Sequence, residues 1–86
     1  PQNARLHSLF TLLQDNVKAA DGQFHHLQWW KAMCKAQWLG FDEYRRPDGE
    51  AIQVLRSTSD CDVAELNEFM SKVEAYCAQR GVWLDE

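Results

Sequence analysis

Leu6, Leu9, Phe10, Leu13 and Val17 recur at intervals of three and four, which lays one apolar stripe along a helix over about residues 4–20. Asn3 can cap its start, and Asp21-Gly22 supplies an ending, since glycine takes the left-handed conformation that helix termini favour. A second helix follows over about 26–39. Leu27, Trp30, Cys34 and Trp38 lie on one side of it, with Trp29, Met33 and Ala36 broadening the apolar surface, and Gly40 stops it. The pattern then changes. Two extended runs, 41–46 and 50–56, flank Pro47-Asp48-Gly49, whose residues suit a tight turn, so this stretch predicts a β-hairpin with Tyr44, Ile52 and Val54 facing inward. Asp62 and Glu65 form a capping-box pattern that opens a third helix. Val63, Leu66, Phe69, Met70, Val73 and Tyr76 or Cys77 make its apolar face, Gly81 ends it, and Val82-Trp83-Leu84 is a short apolar tail expected to fold back onto the core.

The order helix, helix, hairpin, helix is an α+β arrangement in a single domain. Two strands alone make a poor sheet, so either the helices cover one face of the hairpin or further strands belong beside it. A chain of 86 residues buries a limited fraction of its surface, which leaves room for a partner subunit or a missing segment to complete the core.

Composition narrows the classes. The 45% hydrophobic fraction and four tryptophans belong to a folded chain. No apolar run reaches the roughly 18 residues of a membrane span. Pro1-Gln2-Asn3-Ala4-Arg5 runs straight into an amphipathic pattern, unlike a secretory leader, and reads as a cut. Three cysteines cannot all pair within the chain, and their spacings of 27 and 16 match no zinc pattern. A reducing compartment is the simpler reading, with Cys34 and Cys77 packed as small hydrophobes.

The formal charge of −4 is unevenly distributed: residues 1–56 hold seven Lys/Arg against six Asp/Glu, and residues 57–86 hold two against seven. The acidic C-terminal helix reads as a solvated face, a site for a basic partner, or a source of repulsion that keeps DNA on the opposite side.

Catalytic clusters are thin. His25-His26 is the most suggestive pair, but adjacent helical side chains diverge by about 100° and do not readily share a metal. There is no glycine-rich phosphate loop and no recognisable nucleophile motif. The acidic pairs around the hairpin, Asp42-Glu43 and Asp48-Gly49-Glu50, suit a solubilised turn. The groups able to meet a polyanion are Arg5, Lys31, Lys35, Arg45, Arg46 and Arg56, and the three hairpin arginines would form a basic ribbon if they met on one surface. Trp29 beside Trp30 adds a ring on which an unpaired base could stack.

Along nearly its whole length the chain resembles the NinB family of phage recombination proteins, of which the lambda-type Orf protein is the best-known kind. The resemblance is carried by Gln2-Asn3 with Leu6, Gly22, Trp30-Lys31, the Gly49 turn, Ser57-Thr58-Ser59, Val63-Ala64-Glu65-Leu66, Arg80-Gly81-Val82 with Trp83, and Asp85-Glu86. It implies a non-catalytic mediator; no cofactor or metal is expected, and the cytoplasm of a bacterial host is the expected setting. Such a mediator loads a recombinase onto single-stranded DNA, works as a homodimer and associates with the host single-strand-binding protein. It further implies strands ahead of the Gln-Asn motif, so that residues 1–86 would be the C-terminal part or core of a longer protein. Carried over by position, Gln2 stands at the mouth of a DNA channel, and His7 occupies a place where relatives can have an aromatic residue. Ser57 opens a hydroxyl triplet suited to phosphate. Asp60 and Asp62 depart from the family pattern, because basic residues can follow the triplet there.

Three functions compete. The first is single-strand DNA binding through Gln2, Arg5, His7, Trp29, Lys31, Arg45, Arg46, Arg56 and Ser57, with a variant that flips a base out of a duplex. The second is an adaptor whose acidic third helix docks a host replication or repair factor. The third, and weakest, is a metal-dependent nuclease built on His25, His26 and nearby carboxylates.

Overall fold

The computed structural model describes residues 2–84, and Asp85-Glu86 of the family resemblance lies outside them. The order is α1 (Gln2–Asn16), α2 (Leu27–Trp38), β1 (Phe41–Arg45), β2 (Ala51–Leu55), a 3-10 turn (Thr58–Asp60) and α3 (Val63–Gln79), the α+β sequence of elements expected from the periodicity.

The helix boundaries differ from the sequence reading for local reasons. Asn3 lies inside α1 and does not cap it. The helix ends at Asn16 because Lys18 leaves it to pair with Phe24 as an isolated β-bridge, around a loop in which Ala19 N–H donates to the Gln23 carbonyl at 2.9 Å. Val17 still turns inward at 6% exposure, which is why the apolar stripe outlasts the helix. His26 is the N-cap of α2 and not its first residue: its Nδ1 accepts from the Gln28 N–H at 3.1 Å. The capping box of α3 forms as the sequence implies, with Asp62 Oδ1 accepting from Glu65 N–H at 2.8 Å and Glu65 Oε1 accepting from Asp62 N–H at 3.4 Å. At the far end, Val82 N–H reaches the Cys77 carbonyl and Gly81 N–H the Ala78 carbonyl, both at 3.0 Å, a Schellman closure that needs the φ of +79° at Gly81.

The core is helical throughout. Leu6, Leu9, Phe10 and Leu13 of α1 meet Trp30 and Cys34 of α2 and Leu66, Phe69, Val73 and Cys77 of α3, with Val17 at the edge. Each fully buried Leu or Phe contributes roughly 1.5–3 kcal/mol. Gln2 beside Asn67 and Arg5 beside Glu74 set α1 and α3 in the same direction. Gln14 meeting the start of α2 sets α2 opposite to α1. Val63 does not join this core; it stands 66% exposed at the head of α3. Of the C-terminal tail, Val82 and Leu84 pack inward, while Trp83 remains 66% exposed.

The hairpin corrects the sequence reading most clearly. Tyr44, Ile52 and Val54, expected to face inward, are 53%, 42% and 41% exposed. The three helices satisfy one another's apolar stripes and leave no face for the ribbon to cover. It is held at its base, where Arg56 N–H donates to the Gly40 carbonyl at 3.2 Å. The Cα radius of gyration of 14.4 Å exceeds the roughly 12 Å of a compact chain this long, as a projecting element requires. The turn forms as its residues demand. Gly49 N–H donates to the Arg46 carbonyl and Arg46 N–H to the Glu50 carbonyl, each at 2.8 Å, with Gly49 at a φ of +90°.

Candidate nucleic-acid interface

The hairpin register runs from Phe41 opposite Leu55 to Arg45 opposite Ala51. Side chains alternate between the two faces of a strand, so one face carries Phe41, Glu43, Arg45, Ala51, Gln53 and Leu55, and the other carries Asp42, Tyr44, Ile52 and Val54. Continuing that alternation, Arg46 and Arg56 fall with the second set and Arg45 with the first. The three arginines do not share one surface. Arg45 lies 3.9 Å from Glu43 and donates to the Gly49 carbonyl at 3.2 Å. Arg56 is bound to Glu65 at 2.8 Å and lies 4.0 Å from Asp42; the Glu65 hydrogen bond and charge hold its guanidinium further toward the charged form. Arg46 has no ion-pair partner among the described residues.

The other sequence-derived positions divide among three surfaces. Arg5 pairs with Glu74 at 2.8 Å and lines a hollow formed with Leu9, Cys77 and the C-terminal tail. Gln2 donates to Asn67 Oδ1 at 2.5 Å. His7 and Lys31, in contrast, come together in one polar cleft where α1, α2 and the 3-10 turn meet, with a volume of about 170 Å³ and walls that include Asn3, Gln28 and Thr58. Lys31 has no carboxylate partner among the described residues. Burial first, and then the Lys31 ammonium, lowers the pKa of Lys35, so an anion near this pair would relieve their mutual repulsion.

Asn3 and Gln28 do not stand out as site residues in the sequence, although their spacing marks them. Asn3 is four residues before His7 and Gln28 three before Lys31, so each pair shares a helix face. Thr58 is legible in the sequence only as a member of the hydroxyl triplet, and its place in the cleft depends on how the turn folds against α1. Beside it, Ser57 uses its hydroxyl locally, accepting from Ser59 N–H at 3.2 Å and sharing a 2.7 Å hydrogen bond with the Ser59 hydroxyl. The N-terminus of α3 is already served by Asp62.

Trp29 is half-buried, with His25 stacked on it at 3.8 Å and 12° and Trp30 set edge-on at 5.0 Å. The two neighbouring histidines thus go separate ways. His25 bonds Asp21 at 2.8 Å and lies on Trp29, while His26 caps α2. The Gln23 N–H and then His25 hold the Asp21 carboxyl below its usual range. Among the described residues, no three His, Cys, Asp or Glu side chains gather as a metal site. The acidic residues of α3 are also engaged: Glu65 with Arg56, Glu74 with Arg5, and Glu68 with Lys72 at 3.4 Å. Among the described residues no helix is long and apolar enough to cross a membrane.

A three-helix core with a projecting β-ribbon and a polar cleft at one end defines a small α+β module. The profile of the NinB protein family matches residues 1–85, and the chain belongs to the NinB family. It is similar to a solved structure described as NinB from structural genomics, at 24% identity with a TM-score of 0.77, over 98% of this chain and 63% of that one. That likeness concerns the fold, and the chain spans under two thirds of the solved relative's length. No curated protein matches.

Proposed function

We propose that the chain is the DNA-binding part of a phage recombination mediator that holds single-stranded DNA without catalysing a reaction on it. The observation that carries this is the cleft where Lys31, without a carboxylate partner, stands with His7, Asn3, Gln28 and Thr58. One cation and several neutral hydrogen-bonding groups suit a phosphate backbone better than a charged small molecule. Family membership supports the recombination role and the bacterial cytoplasm as its setting. Base flipping would be a variant of the same contact, with His7 entering the stack.

A second reading concerns protein contacts and rests on the exposed hairpin face of Tyr44, Ile52 and Val54. Such a face suits a second copy in a homodimer or a host single-strand-binding protein better than does α3, whose glutamates Glu65, Glu68 and Glu74 are paired within the chain.

Titration of a labelled single-stranded oligonucleotide over a series of salt concentrations tests the first reading. Lys31→Glu should weaken binding and reduce the salt slope by about 0.7 for each phosphate that is no longer neutralised. The absence of binding at low salt, for both this chain and the longer protein, would overturn it.

A further inference from the structure

We infer that a second site, an aromatic groove between α2 and α3 on a different surface from the polar cleft, receives an unpaired nucleobase and continues the path of the strand. The inference rests on the single-strand reading above and gives it a second point of contact.

The groove has a volume of about 220 Å³ and is walled chiefly by Trp29, Trp30, Met33, Trp38 and Tyr76. An apolar cavity of about 150 Å³ accommodates benzene, so the space is sufficient for a larger flat ring. Tyr76 lies 6.0 Å from Trp30 and 5.9 Å from Trp38 between ring centroids, tilted 52° and 59° to them, so the three rings line the groove as angled aromatic walls from two helices. Apolar walls alone would fit many occupants. Two exposed polar groups narrow the choice.

Trp30 is 4% exposed, yet its indole N–H has no acceptor; it is the one buried side-chain polar atom without a partner among the described residues. That nitrogen is closed to solvent, so a ring resting in the groove does not reach it without movement of the indole, and the choice of occupant rests on the exposed groups. The amide of Gln37 lines the same groove and is exposed, and it offers the donor and acceptor that recognise a base edge. At the rim, the Arg80 guanidinium lies 4.8 Å over the Tyr76 ring and has no carboxylate partner among the described residues. A flat ring, a hydrogen-bonding edge and an adjoining anion together describe a nucleotide of a single strand. A second copy of the chain would match the apolar walls but leaves the Arg80 cation unexplained.

The test is photo-crosslinking of the intact chain to a single-stranded oligonucleotide carrying 5-iodouracil, followed by peptide mapping, together with binding by the surface variants Gln37→Ala and Arg80→Glu. Both side chains are exposed, and because Arg80→Glu also removes the contact with Tyr76 and places a negative charge at the α3 C-terminus, its melting temperature is measured alongside binding. Adducts on Trp29, Trp38 or Tyr76 are expected, with affinity roughly threefold to tenfold lower for Arg80→Glu and a smaller salt slope. If the oligonucleotide binds but adducts map only to the polar cleft or hairpin and both variants bind normally, the groove is not a base site and the single-strand reading survives. If no oligonucleotide binds at low salt, both fall. If the tryptophan fluorescence changes with protein concentration alone, in step with dimer formation, a second copy covers the groove and the base assignment is overturned.

Discussion

The Arg56 guanidinium reaches Glu65 at 2.8 Å, joining the base of the hairpin to the first turn of α3. Glu65 is at the same time the reciprocal half of the α3 capping box, so one carboxylate secures a helix end and a strand end together. The basic residue nearest the Ser57-Thr58-Ser59 hydroxyl triplet is therefore committed to the fold. Arg56→Ala should lower the melting temperature and speed amide exchange across β2 while changing oligonucleotide affinity less than Lys31→Glu does. A larger loss of binding than of stability would place Arg56 on the DNA instead.

Removing the other half of the same device gives a second prediction. Asp62→Ala deprives the α3 N-terminus of its acceptor and should cost about 1 kcal/mol, within the roughly 0.5–2 kcal/mol of comparable caps. Urea unfolding measures it directly, and an unchanged midpoint would mean that water or a shifted Glu65 replaces the cap without loss.

Burial pushes the Cys34 thiol up to about 12 and the Cys77 thiol up to about 11, from an ordinary value of 9.0. Between those values the unfolded chain has released protons that the folded chain retains, so the unfolded state binds fewer and stability falls as pH rises. The full contribution is present below 9.0 and drains away toward 11 and 12, on the order of 1 kcal/mol per pH unit for each thiol. Unfolding midpoints should decline through this alkaline window, and Cys34→Ala should make the decline shallower. A decline equally steep in the variant would assign it to other groups. A thiol reagent should modify Cys61, which is only partly covered, well before the other two.

On the hairpin, Ile52→Lys or Val54→Lys should leave the melting temperature within about 4 °C because neither residue belongs to the core. Sedimentation or light scattering should then show less self-association if this face contacts a second copy. A marked loss of monomer stability would mean that the ribbon packs against the helices in solution.

How far the sequence reaches is clearest at particular residues. The helix stripes, the Pro47-Asp48-Gly49 turn, the capping box of Asp62 and Glu65 and the Gly81 closure are all legible, because each depends on neighbours within one or two turns of chain. Tyr44, Ile52 and Val54 mislead for the opposite reason. Their alternation marks one apolar face of a ribbon but does not say whether anything covers it. The candidate site is half legible. His7 and Lys31 stand out along the chain, whereas their convergence with Thr58 depends on the antiparallel course of α1 and α2.

By itself the sequence determined the kinds of elements and their order, since periodicity, capping and turn residues act locally on the backbone. The tertiary structure alone decided which charges remain available. Arg5 and Arg56 meet carboxylates 69 and 9 residues away, and Trp30 lies beside Tyr76 of another helix. Pairing of that kind follows from distance in space, which helix packing sets and linear spacing does not encode.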